Sequence, residues 1–137
     1  MNRLPVMTWL RLVRVFQKGE HAAVDHLRHR DLSLAQFDVL AQVGAAEGIT
    51  QQELADHLLV TKGNVCQLLD RMERAGLVAR RQEGRANRLY LTGTGKSLRA
   101  DVLPAQEDVI ARVFSPLSRE EQIQLLALLS KLDRAMA

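Results

Sequence analysis

A mainly α-helical chain carrying one small β-hairpin is the fold class this sequence predicts, on three observations. Only 4% of residues are aromatic while Leu, Ala, Arg, Gln and Glu abound, so the composition favours helix before any pattern is read. Three stretches pair a hydroxyl residue with Gln or Glu three positions on: Ser33 with Gln36, Thr50 with Glu53, and Ser118 with Glu121. That spacing lets the hydroxyl cap a helix start while the longer side chain reaches back. Finally, LVARR and NRLYLT flank the polar tip Gln82, Glu83, Gly84 and Arg85, the pattern of two short strands joined by a turn. At 137 residues, 47% apolar and 26% charged, the chain has the size and balance of one globular domain.

The first helix is predicted over residues 8–29, where Leu10, Val13 and Phe16, then Ala23, Val24 and Leu27, recur at helical spacing. Asp31, Leu32 and Ser33 end it and open a second over 33–46. Gly48 separates that from a short third helix over 50–58. Thr61 is expected to cap a fourth over 61–75, which Gly76 terminates in a left-handed conformation. The strands of the hairpin fall at 77–81 and 87–92. A long helix over 94–114 is expected to kink at Pro104, and a last one occupies 118–136.

Charge narrows the partner class. Net charge is only +3, but residues 61–99 hold nine basic and three acidic side chains, whereas the segments on either side are slightly acidic. A basic block on an otherwise neutral chain is an electrostatic footprint for a polyanion. The block opens with the predicted fourth helix, which only two or three residues, 58–60, separate from the third. Helices joined by only two or three residues must cross steeply, as in a helix-turn-helix. At about 100° per residue, Val65, Leu68, Leu69 and Met72 share one side of the fourth helix, a core stripe. Asn64, Gln67, Arg71 and Arg74 share another, centred about 130° away. Asn and Gln pair bidentately with adenine in the major groove, and Arg with guanine or phosphate. The hairpin adds Arg80, Arg81, Arg85 and Arg88, and an arginine at such a tip fits the negative potential of a minor groove.

The run TQQELADHLLVTKGNVCQLLDRMERAGLVARRQEGRANRLYLTGTGKSL resembles the winged helix-turn-helix core of the MarR family of bacterial transcription regulators. The resemblance is carried by Leu54 and Ala55, by the segment from Val60 to Val65, by Leu69 to Glu73, by Ala75 to Val78, and by Arg85 to Asn87 with Leu91 and Thr92. It implies one MarR-like domain over 1–137, with a DNA-binding lobe over 33–92 and dimerisation helices over 1–30 and 95–137. It implies a recognition helix whose Thr61, Lys62, Asn64, Gln67 and Arg71 meet bases or phosphates, and a wing whose Arg85 enters the minor groove. Two departures stand out: Glu83 occupies the position where the family usually has Asp, and the wing is short. The family also implies a homodimer on a palindromic double-stranded DNA operator, repression, and relief by a small aromatic or phenolic effector. Independently, Ile123, Leu125, Leu126, Leu128, Leu129 and Leu132 crowd the last helix with more apolar surface than one stripe requires, which fits a dimer contact.

Other function classes find less support. One cysteine, Cys66, excludes an intramolecular disulfide and fits a reducing, cytoplasmic compartment. No run approaches the roughly 18 apolar residues of a membrane span. His26 and His29 are three apart, but no carboxylate accompanies them in a zinc-binding motif, so no metal or cofactor is expected. Catalysis has no nucleophile and base in a known arrangement, nor a phosphate-binding glycine loop, so the chain is not expected to be an enzyme. Lys62, one turn before Cys66, would favour its thiolate, whereas the plainer reading of Cys66 is a small half-buried residue. No effector-binding residues are assigned: Trp9, Arg14, Lys18 and His21 offer stacking and charge near a crevice, or equally are surface residues. The rival function is a winged-helix module binding an acidic protein, against which the amide-bearing face of Asn64 and Gln67 argues, since base readers gain little from such a partner.

Overall fold

The computed structural model describes residues 2–58 and 64–137. Among these, α1 (Leu4–Arg28), α2 (Leu34–Ala45), α3 (Gln51–His57) and α4 (Val65–Arg74) are followed by strands β1 (Val78–Glu83) and β2 (Ala86–Leu91), then α5 (Gly93–Phe114) and α6 (Arg119–Ala135). The predicted fold class is therefore the observed one. All three capping boxes form with both reciprocal hydrogen bonds, at Ser33, Thr50 and Ser118. Helix α1 starts earlier than its apolar spacing indicated, because Pro5 sits in the first turn, where a missing N–H costs nothing. Pro104 lies inside α5 without dividing it into two elements.

The largest correction concerns α4. It begins at Val65, with Asn64 in an extended conformation as its N-cap and the Asn64 Oδ1 accepting from the Gln67 N–H at 3.2 Å. Asn is as strong a cap as any residue, and here it satisfies one of the first free N–H groups of the helix. Thr61 and Lys62, like the rest of the predicted junction at residues 59–60, lie outside the described residues.

One core unites the lobe. Leu27 from α1, Val39, Leu40 and Val43 from α2, Leu54 from α3, Leu68, Leu69 and Met72 from α4, Val78, Leu89 and Leu91 from the hairpin, and Val102 from α5 form a single buried cluster. The predicted apolar stripe of α4 thus anchors it, with Val65 at the margin. Each fully buried leucine contributes on the order of 1.5–3 kcal/mol, so α4 and the hairpin share the same support.

The hairpin pairs antiparallel from Val78 with Leu91 to Glu83 with Ala86, and Gly84 turns the tip at a φ of +64°. Residues 48–50 extend the sheet: the Gly48 N–H donates to the Leu89 carbonyl at 2.8 Å and the Leu89 N–H to the Ile49 carbonyl at 2.9 Å. Gly48 makes this approach possible with a φ of +90°. The base of the wing is therefore clamped to the start of α3, an attachment that the sequence reading treated only as a helix separator.

The terminal helices contrast with this. No residue of α6 is buried, and α1 buries only Ala23 and Leu27, both in its second half. Leu4, Met7, Trp9, Leu10 and Phe16 on α1 and Ile123, Leu126, Leu128 and Leu132 on α6 are exposed. Between the two helices runs an apolar groove of about 620 Å³. A 17-residue helix with that much exposed leucine leaves most of its apolar surface uncovered within its own subunit.

Candidate nucleic-acid interface

Gln67, Arg71 and Arg74 are exposed on α4, on the side opposite its buried stripe. Arg85 is exposed at the wing tip beside Gly84 and, among the described residues, has no ion-pair or hydrogen-bond partner. The wing tip and the beginning of α4 border one open cleft of about 500 Å³, walled by Arg85 and Asn87 on one side, Asn64 and Cys66 on another, and Thr50 and Gln51 from α3. The structure thus brings Arg85 and Asn64 to one cleft, with Gln67 and Arg71 continuing along the exposed face of α4. Asn64 differs from its neighbours: its carbonyl oxygen is committed to the cap at a helix N-terminus, where anions are favoured.

Cys66 is exposed and accepts a hydrogen bond from Gln51 Nε2 at 2.8 Å. His26 Nδ1–H donates to Gln106 Oε1 at 2.8 Å, and His29 caps the end of α1. Trp9, Arg14, Lys18 and His21 are all exposed on α1, and none of them lines the crevice of about 320 Å³ that opens between α1, α2 and α5.

With this geometry in place the comparisons are informative. The model of the MarR family matches residues 30–88. An uncharacterised HTH-type transcriptional regulator of Bacillus cereus is 33% identical over 134 residues, covering 97% of this chain and 91% of that protein. This chain belongs to the MarR family of transcription regulators. AbsC, a MarR-family regulator from Streptomyces coelicolor, superposes with a TM-score of 0.89 at 21% identity, covering 99% of this chain and 96% of that one, which shows the shared fold. A MarR-family protein of Mycobacterium tuberculosis, solved in complex with salicylic acid, gives a TM-score of 0.70 at 29% identity over 88% of this chain and 92% of its own. The MarR-family winged helix-turn-helix is thus a DNA-binding transcription regulator fold, and α4 and the hairpin are its helix and wing.

Within this MarR-family lobe, the basic block is less available than its composition indicated. Arg80 does not point at a partner outside the subunit. Its guanidinium pairs with Asp70 and, at 2.9 Å, with Glu73, both on α4. Arg88 pairs with Glu83 at 3.2 Å and donates to the Gly48 carbonyl at 2.9 Å. Arg81 lies over the Tyr90 ring, 4.8 Å from its centroid. Glu83, in the position of the family's Asp, accepts from the Tyr90 hydroxyl and holds Arg88 rather than Arg85. Its extra methylene lets it span to the opposite strand, so the tip arginine is left unconstrained.

The Arg80 clamp fixes the wing against α4. Hydrogen bonds from Arg80 hold the Glu73 carboxyl below its usual range, and the Arg80 pKa is raised in turn by Glu73 and then Asp70. Because Glu73 is depressed on folding, its contribution is complete above the ordinary carboxylate pKa and is lost as pH falls through the folded value. The groups are partly exposed, so the pairing is worth only about 1 kcal/mol. Arg80→Met should therefore leave the fold intact but loosen the wing, weakening operator binding several-fold. Amide exchange at β1 should rise, and the acid sensitivity of that exchange should disappear.

Proposed function

We propose that this MarR-family protein is a cytoplasmic, homodimeric repressor that binds a palindromic double-stranded DNA operator and is released from it by a small aromatic or phenolic effector. The reading rests above all on the exposed Gln67 and Arg71 face of α4 standing beside an unconstrained Arg85 at the wing tip. Residues 33–92 form the DNA-binding lobe of a single 1–137 domain, and residues 1–30 and 95–137 supply the dimerisation helices. Gln67 reads a base edge, Arg71 meets a base or phosphate, and Arg85 enters the minor groove. Asn64 at the helix start acts mainly on phosphates, and Thr61 and Lys62 meet bases or phosphates as the family resemblance implies. Two-fold pairing through the exposed faces of α1 and α6 sets the recognition helices about one DNA turn, roughly 34 Å, apart. A dimer covering such a site blocks an overlapping promoter without any further contact, which supports repression. The salicylic acid complex of the M. tuberculosis relative supports an aromatic effector. The protein acts by binding alone, with no catalytic step and no metal or cofactor.

Selection of bound sequences from a random DNA library tests the reading: a palindrome is expected, and enrichment without two-fold symmetry would overturn it. On that operator, Gln67→Ala should cost about 1–3 kcal/mol and relax discrimination at one base per half-site. With Arg71, Arg74 and Arg85 from both subunits on phosphates or in grooves, log affinity against log salt should fall with a slope of about −5. Arg85→Lys keeps the charge but is more strongly hydrated, so affinity should fall most on operators with A·T-rich flanks. Equal affinity of both proteins on A·T- and G·C-rich flanks would make Arg85 a generic phosphate contact.

A further inference from the structure

Glycine is an unfavourable residue inside a helix, yet Gly44 stands in the last turn of α2. It is not among the glycines of positive φ, so backbone conformation does not call for it. A neighbour does. Arg99 of α5 lies across the place a Cβ would fill, with its Cζ 2.8 Å from that point and its Nε and Cδ closer still. From this notch Arg99 Nη2 donates to the Ala41 carbonyl at 3.4 Å, while Nε is buried without a hydrogen-bond partner. The last turn of α2 holds no basic residue of its own, so Arg99 brings from another helix the positive charge that a helix C-terminus favours. Beyond the notch the chain runs straight into the support of the wing: the Glu47 carboxylate accepts from the Leu91 N–H at 3.1 Å, and Gly48 pairs with Leu89.

Resting on the reading of the protein as a dimer on a two-fold operator, we infer that Arg99 seated in the Gly44 notch sets the angle between the DNA-binding lobe and the dimer arm, and thereby the half-site spacing the protein accepts. A side chain locked into a notch one methyl group deep holds α5 on α2 in one register, which apolar side chains alone could repack to change. Leverage makes a small change there matter. From Arg99 to the end of α5 at Phe114 the helix runs about 22 Å at its rise of about 1.5 Å per residue. A tilt of about 10° at the notch therefore displaces the far end by about 4 Å, comparable with the roughly 3.4 Å rise of one base pair. Two-fold symmetry applies that displacement to both lobes. Neither residue touches DNA in this reading; both are positioning residues, acting through the seat of the lobe on its arm.

The test is titration of the full chain on duplexes carrying one selected half-site, or two half-sites at the selected spacing and at one base pair more or less. The unaltered protein is expected to bind either altered spacing about tenfold more weakly or worse, since each base pair also turns the half-site about the DNA axis. Gly44→Ala should cut that discrimination to about threefold or less while half-site affinity stays within about twofold, and Arg99→Ala should do the same. Adding Gly44→Ala to Arg99→Ala should change neither spacing discrimination nor melting temperature further, because the methyl group then meets no side chain. Undiminished discrimination in either single variant, an equal fall in half-site affinity, or additive effects in the double variant overturns the inference. An unaltered protein that binds the half-site but accepts all three spacings equally also overturns it and leaves DNA recognition standing. Absence of half-site binding defeats the DNA-binding reading itself.

Discussion

Leu126→Arg combined with Leu129→Arg is expected to turn the dimer into monomers and to lower operator affinity about 100-fold or more. Leu129 lines the groove between α1 and α6, and Leu126, 66% exposed within its own subunit, shares with it an adjoining apolar surface of α6. Surface substitutions at such positions change subunit stability little, within about 0.5 kcal/mol. In an apolar contact between copies, however, two guanidinium groups lose their hydration without partners, at a cost of several kcal/mol. Operator affinity falls because a joined second half-site binds at an effective concentration in the millimolar range, an advantage that monomers forfeit. Sedimentation and titration on a half-site and a full operator read the outcome: half-site affinity should be unchanged while full-site affinity collapses. A dimer that survives both arginines would place the contact elsewhere.

Gly95→Ala is expected to destabilise the fold by about 2–4 kcal/mol, lowering the melting temperature on the order of 10 °C. Gly95 is buried in the first turn of α5, and a Cβ there would lie 2.1 Å from the Leu77 carbonyl oxygen. That carbonyl also accepts from the Thr92 N–H, and Thr92 caps α5 through the Gly95 N–H. The added methyl group must therefore part the base of the wing from α5 by moving backbone, not a flexible side chain. Gly93→Ala, two residues earlier, is the control. Nothing lies within 4 Å of its Cβ position, so reduced freedom of the unfolded chain should leave that variant unchanged or more stable by about 0.4–1 kcal/mol. Operator affinity of the Gly95 variant, measured well below its melting point, should fall as well, since the wing and α4 share one core with α5.

The sequence by itself determined the elements and their order. Capping boxes at Ser33, Thr50 and Ser118, the stripe of Leu68, Leu69 and Met72, and the hairpin turning at Gly84 are signals that act over four residues or fewer, and local hydrogen-bonding and periodicity settle them without knowledge of the rest of the chain. The cap of α4 is less legible: Thr61 and Asn64 are both competent cap residues, and the structure puts Asn64 in that place. Which charges are spent internally and which surfaces are left over emerges only on folding. Arg80 and Arg88 counted as free cations in the sequence, yet Asp70 and Glu73 neutralise one and Glu83 with the Gly48 carbonyl engages the other. Three phenylalanines scattered over residues 16–114 became one crevice wall, with Glu20 and Asp38 for company. An ion pair or a cavity is a property of neighbours, and chain folding brings together neighbours separated by tens of residues, at distances that no local pattern encodes.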